Sequence, residues 1–248
     1  MKYSKNWLIT AIVFIALPFT QTSPAETLRV MLHTGSFPPY FFEEGDQRTG
    51  TIKDIFTAIS QETGDSIEYV RVPFKRALRL FENGEIDIEP MTNPIWRQNS
   101  SIQSVYSIPF TASEDVIIFQ ADKYIAVHSG DDLLGKRLGV VQGYSYPAYQ
   151  AYFAAGRIKA APFHDENKLI QLLIAKRLDQ ALINKDFAQY QIKNENLTGQ
   201  LKIGEPYSVL DMMIRFHPSK AHVLPRFNKA LKKLLKSGSI NNIYNRYR

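Results

Sequence analysis

The sequence predicts an α/β protein of two lobes, each a mainly parallel sheet flanked by helices. Three observations carry that reading. Between Leu28 and Ile88, short β-branched runs alternate with segments whose apolar residues recur at helical spacing. The same alternation resumes after Phe110. No segment between them is low-complexity or linker-like, so the two lobes should be joined by short, structured crossings.

The elements follow in order. Leu28 to Leu32 reads as a strand, followed by the loop Gly35-Ser36-Phe37-Pro38-Pro39-Tyr40. Thr51 with Asp54 three residues on resembles a capping box, with Asp in place of Glu. Ile52, Ile55, Phe56 and Ile59 then mark one helix face, and Gly64 ends the helix. Ile67 to Val72 is the next strand. Pro73 opens a second helix with Ala77, Leu78 and Phe81 buried, and Asn83-Gly84 closes it. Ile86 to Ile88 is the third strand. After Phe110, Val116 to Phe119 and Tyr124 to Val127 are extended and apolar, and Asp132 to Val141 reads as short helix, turn and strand. A helix begins near Pro147, another spans Lys168 to Ala175, Gln180 to Ile183 is a strand, and Lys185 to Gln191 is helical. Met212 to Phe216 is the last strand. Phe227, Ala230, Leu231, Leu234 and Leu235 then recur among Lys229, Lys232, Lys233 and Lys236, an amphipathic helix with a basic face.

Bulk properties narrow the class. Lys2 and Lys5 precede an apolar run from Trp7 to Phe19, and Ser23-Pro24-Ala25 places small residues where a signal peptidase reads. Residues 1–25 are therefore expected to be a cleaved secretory signal. There are no cysteines, which excludes disulfides, thiolate catalysis and a lipid-anchoring cysteine, and fits a Gram-negative periplasm. The formal charge is +6, and +4 without Lys2 and Lys5, a mild excess that calls for no nucleic acid. His33, His128, His164, His217 and His222 show no metal-ligand spacing, and no nucleophile elbow, phosphate loop or dinucleotide fingerprint is present. No catalytic residue, metal or cofactor is expected.

The stretch from Gly84 to Phe110 carries the most functional information. A β-branched run ends in a polar segment holding Thr92, Asn93, Trp96 and Arg97. Strand ends of open α/β sheets bind small ligands, and an arginine fork suits a planar carboxylate. A surface arginine in an ordinary loop is the other reading of these residues.

The order of several short pieces resembles the periplasmic solute-binding proteins of polar amino-acid ABC transporters, bacterial extracellular solute-binding protein family 3. Those pieces are Phe37-Pro38-Pro39-Tyr40, Gly50 with Asp54, Gly84-Glu85-Ile86-Asp87, Tyr106-Ser107-Ile108-Pro109-Phe110, Leu134 to Val140, and Glu205-Pro206-Tyr207. The resemblance implies a two-lobed periplasmic-binding-protein fold of type II with a two-crossing hinge. It assigns residues 26–110 and 212–248 to lobe 1 and 111–211 to lobe 2. It also implies a monomer in the periplasm that takes a small polar or anionic ligand, an amino acid or related carboxylate, and passes it to an inner-membrane ABC permease. A ligand-sensing module feeding a signalling protein and an enzyme on the same scaffold, a dehydratase or lyase, are the alternatives.

Three departures from the family pattern stand out. Ile52 takes the place of the first acid of the Gly-Phe-Asp-x-Asp box. Arg97 lies ten residues before Ser107, where the family places its arginine seven before, a register that falls on Ser100. Asn184 stands where the second lobe usually offers an acid to the ligand ammonium.

The candidate ligand residues are Arg97, Thr92, Asn93, Tyr40, Trp96, Arg76, Glu89, Tyr144, Ser145 and Asn184. Arg97 is expected to hold the anion. Arg76, a cation in the first turn of its helix, needs an anionic neighbour, either the ligand or Glu89. Glu89, two residues beyond Asp87 and so on the same strand face, is a possible replacement for the missing ammonium acceptor. Phe37, Tyr40 and Trp96 could form an aromatic box. Tyr144, Ser145 and Tyr146 precede a helix whose N-terminus could offer amides to an anion.

Overall fold

Leu28, Val30 and Leu32 alternate inward along β1 (Thr27–Leu32), the central strand of a first sheet in the computed structural model, which describes residues 24–247. The expected signal segment lies almost wholly outside the described residues. No described helix is long and apolar enough to cross a membrane. A tight loop, Phe37 to Phe41, leads from β1 to α1 (Thr51–Thr63), which buries Ile52, Ile55, Phe56 and Ile59 and ends at Gly64 with φ 81°.

The expected capping box does not form. Gly50, not Thr51, is the cap residue, with φ 96°, and a Cβ there would lie 2.4 Å from the Tyr40 carbonyl oxygen. The close approach of the Phe37–Phe41 loop therefore requires glycine. Thr51 is already inside the helix. Asp54 instead accepts from the Tyr247 hydroxyl (2.7 Å) and Arg246 Nη2 (2.9 Å), tying α1 to the C-terminal end of the chain.

Next come β2 (Ser66–Arg71), α2 (Phe74–Glu82), β3 (Ile88–Thr92), a 3-10 turn over Pro94–Arg97 and a short β4 (Val105–Tyr106). The third strand begins two residues later than the sequence suggested. Asp87 precedes it and turns its carboxylate to the backbone N–H (2.8 Å) and guanidinium (2.9 Å) of Arg29.

The second half contains β5 (Thr111–Gln120), β6 (Arg137–Val141), α3 (Pro147–Ala154), β7 (Lys159–Phe163), α4 (Glu166–Ile174), β8 (Gln180–Asn184) and α5 (Lys185–Asn194). The chain then returns along β9 (Leu201–Phe216) to α6 (Leu224–Lys236) and α7 (Ser239–Asn245). Asp132-Leu133 falls in a 3-10 turn, Gly130–Leu133, with a capping box on Ser129. Tyr124 to Val127 forms no strand.

The strand order is β2-β1-β3-β9-β5-β8-β6-β7, with β4 on β9. The outer strands pair in parallel, β1 with β2 and β3, and β6 with β7 and β8. The two long strands run antiparallel between them: β9 pairs with β5 from Leu201 to Met212 and with β3 and β4 from Met213 to Phe216. The last strand is thus far longer than Met212 to Phe216. The basic helix α6 buries Phe227, Ala230, Leu231 and Leu234 against the first sheet's layer, Phe227 meeting Phe56 of α1, and turns its lysines outward. Leu235, expected in the buried stripe, is exposed. This is the type II periplasmic-binding-protein architecture: a mixed α/β fold of two lobes joined by paired crossing strands.

Candidate functional site

Where the two sheets face each other they enclose a cavity of about 110 Å³. From the first sheet's side it is walled by His33, Phe37, Phe74, Glu89, Trp96 and Arg97, and from the second by Ser113, Asp115, Tyr144, Glu166, Asn184 and Tyr207. Past Trp96, Asp115 and Tyr207 it meets an outer vestibule of about 310 Å³ that reaches Ile95 and Val209. Hydrogen bonds cross the cleft around it. Tyr40 OH donates to Asn184 Oδ1 (3.2 Å) and Asp186 Oδ2 (3.0 Å), and Asn167 Nδ2 to the Ser36 carbonyl (2.8 Å).

The first-sheet wall is built on charge. Glu89 on β3 is register partner to Arg215 on β9, and Arg215 Nη1 donates to Glu89 Oε2 at 3.1 Å. Arg97, at the end of the 3-10 turn, donates from Nε at 3.0 Å to each Glu89 oxygen and also through Nη2. Burial alone would raise the Glu89 carboxyl, but the two guanidiniums outweigh it and hold it below the usual range. Arg97 stays charged because Glu89 offsets its desolvation. Arg215 is stacked on Phe81 at 4.3 Å and fastened to Ser104 Oγ (3.0 Å) and Ser100 Oγ (2.7 Å). Two cations on one anion leave this wall with a net positive charge, and of the two cations Arg97 is the one that lines the cavity, beside Glu89.

The structure thereby corrects two sequence expectations. Glu89 has four N–H contacts on its two oxygens, so it is committed to the arginines and not open to a ligand ammonium. Arg76 is exposed on α2, does not line the cavity and is not the partner of Glu89.

The other candidates separate clearly. Trp96, Tyr144, Ser145 and Asn184 line the cavity with Arg97 and Glu89. Thr92, Asn93 and Tyr40 do not. Thr92 is fully buried behind it. Asn93 caps the 3-10 turn by accepting from Ile95 N (3.0 Å), and its Nδ2 donates to the Asp211 carbonyl (2.8 Å). Tyr40 lies behind Phe37, their rings stacked at 5.1 Å, so the expected Phe37–Tyr40–Trp96 box is not assembled. The aromatic surface is instead Phe37, Phe41, Phe74, Trp96, Tyr144, Tyr146 and Tyr207. Asn184 is the N-cap of α5. Its Oδ1 accepts from Phe187 N (3.0 Å) as well as from Tyr40, and its Nδ2 donates to Ser113 Oγ (2.9 Å).

Three cavity residues with an acid or imidazole side chain were missed. His33 follows β1 and packs among Phe37, Phe41, Phe74 and Tyr144. Burial pushes its imidazole down to about 4, so it is neutral at pH 7. Asp115, two residues along β5 from Ser113, projects to the same side, and burial raises it to about 7. Glu166, in the first turn of α4, is raised to about 7, chiefly by burial. The second wall thus supplies carboxyl groups after all, from β5 and α4 rather than from the end of β8.

Known proteins place this arrangement. Residues 28–248 match the bacterial extracellular solute-binding proteins, family 3. Over 243 residues the chain is 24% identical to "Putative amino-acid ABC transporter-binding protein PatH" of Vibrio harveyi, covering 96% of this chain and 95% of that one. Among solved structures, an ancestral arginine-binding protein bound to arginine superposes with a TM-score of 0.76 at 23% identity, over 89% of this chain and 97% of that chain. A histidine kinase sensor domain similar to periplasmic binding proteins superposes with a TM-score of 0.77 at 20% identity, over 89% and 95%. With its residues 28–248 matched, from the first strand onward, the chain belongs to the bacterial extracellular solute-binding proteins, family 3.

Proposed function

We propose that this chain captures a small amino acid or related carboxylate between its lobes and delivers it to an inner-membrane ABC permease, without chemical turnover. The observation that carries the reading is Arg97: a charged, nearly buried guanidinium at the surface of an aromatic-rich cavity lined from both sheets. A ligand carboxylate would share this guanidinium with Glu89, drawing on the wall's net positive charge. In this reading residues 26–110 and 212–248 form one lobe, 111–211 the other, and β5 and β9 carry the hinge. The exported monomer would act in the periplasm. The names of PatH and of the arginine-binding ancestor support an amino-acid ligand.

A thermal-shift screen over amino acids, amines, small acids and short peptides tests this. A ligand present at a thousand times its Kd stabilises by about 4 kcal/mol, a shift of several degrees. At least one carboxylate-bearing amino acid should give such a shift. Shifts confined to carboxylate-free compounds would overturn the reading. The likeness to a kinase sensor domain favours a second reading, ligand sensing. A permease and ATPase encoded beside this chain would mark import, and a signalling gene there would mark sensing.

A further inference from the structure

The inner cavity, at about 110 Å³, is small. A protein cavity of about 150 Å³ is occupied by benzene, so this one takes a head group of about six heavy atoms and little more. A carboxylate on Arg97 with its neighbouring carbons already fills it. Anything longer must continue past Trp96, Asp115, Ser145, Tyr146 and Tyr207, which line both the cavity and the vestibule.

The vestibule is larger, about 310 Å³, and its outer walls are mostly apolar. Ile95 comes from the 3-10 turn that carries Arg97, Pro147 and Ala148 from the start of α3, and Val209 and Leu210 from the crossing strand β9. The exposed large hydrophobic side chains among the described residues are Ile95, Leu134, Val209 and Leu235, and two of these four stand on this vestibule. Val209 is 60% exposed. A single exposed apolar residue needs no explanation, but two lining the outlet of a buried, charged cavity do.

We propose that the vestibule binds an apolar tail of the captured solute, which is therefore an amphiphilic carboxylate too long for the inner cavity: its head sits on Arg97 and its tail lies along Ile95, Ala148 and Val209. This rests on the reading of the cavity as a solute site and narrows the ligand class. Continuity favours this occupant over a second protein chain, because five residues line both spaces and make the vestibule an extension of the ligand cavity. A tail there covers the outward face of Val209, and each CH₂ withdrawn from water tightens binding about fourfold.

The test is calorimetry of the mature chain with two series of probes. L-alanine, L-norleucine and L-2-aminodecanoate share one head, and butyrate and decanoate share another. In at least one series the longest member should bind about 10-fold or more tightly than the shortest, at one ligand per chain. Ala148→Trp, which fills the vestibule from an exposed helix position, should bring that ratio close to one, and Val209→Asp should lower it several-fold. Both positions are exposed, so both variants should fold. A wild-type ratio near one, or a ratio that Ala148→Trp leaves intact, overturns the proposal and leaves the capture reading standing. A dimer in sedimentation that Val209→Asp dissolves assigns the rim to a second copy and also overturns it. Should none of the five probes bind, the proposal fails, and the capture reading fails with it only if the thermal-shift screen is empty too.

Discussion

Glu89→Gln should cost about 3–5 kcal/mol of stability, because it leaves two buried guanidiniums facing each other without their shared anion. Arg215 is 1% exposed and Arg97 is 9% exposed at the side chain, so water replaces the carboxylate poorly, least of all at Arg215. Neither guanidinium can escape by losing its proton. A loss of this size is a large share of the total stability of an ordinary domain. Urea denaturation checks it: the midpoint should fall strongly. A change below about 1 kcal/mol would mean the triad is not the anchor described. The double variant Glu89→Gln with Arg97→Gln should recover part of the loss, since one of the two stranded charges is then gone.

Glu166→Gln should act in the opposite direction. Burial raises the Glu166 carboxyl from 4.5 to about 7, so the folded state holds its proton to higher pH than the unfolded state does. Its favourable contribution is complete below about pH 4.5 and is lost as pH rises through 7. Gln carries no such titration. The two proteins should be similarly stable near pH 4, and at pH 8 the variant should lead by about 3 kcal/mol. Denaturation midpoints measured across that range decide the matter. A variant less stable than wild type at pH 8 would show that Glu166 has a structural partner in the unliganded protein.

Much of the fold was legible because its signals are local. Ile52, Ile55, Phe56 and Ile59 declare α1 by spacing alone, and Phe227 to Leu234 declare α6. β7 was missed: Lys159-Ala160-Ala161-Pro162-Phe163 is short and contains a proline, which an edge strand tolerates but a pattern search discounts. Most of β9 was missed because Lys202 to Asp211 is half exposed and mixes polar with apolar residues as it crosses between sheets.

The site was less legible than the fold. Trp96, Arg97 and Tyr144 were found from strand ends and loop position, and Asn184 from the family resemblance. The role of Glu89 was not, because its partner Arg215 is 126 residues away and meets it only through strand register. Glu166 follows Asp165 at a helix start, where an acid is ordinary. Asp115 sits among Ser113 and Glu114 in a run that reads as polar surface. Burial made these acids chemically unusual, and burial is a property of the assembled lobes.

The central claim is that ligand is held between the two sheets on Arg97. Calorimetry of the wild-type chain and of Arg97→Ala, with the amino acid that gives the largest thermal shift, tests it most directly. Removing Arg97 leaves Glu89 in a one-to-one pair with Arg215, so the variant should fold. Binding should fall by a factor of about 10 to 100 or more, the worth of a charge-assisted bond of roughly 1.5–3 kcal/mol. Unchanged affinity in the folded variant would contradict the account.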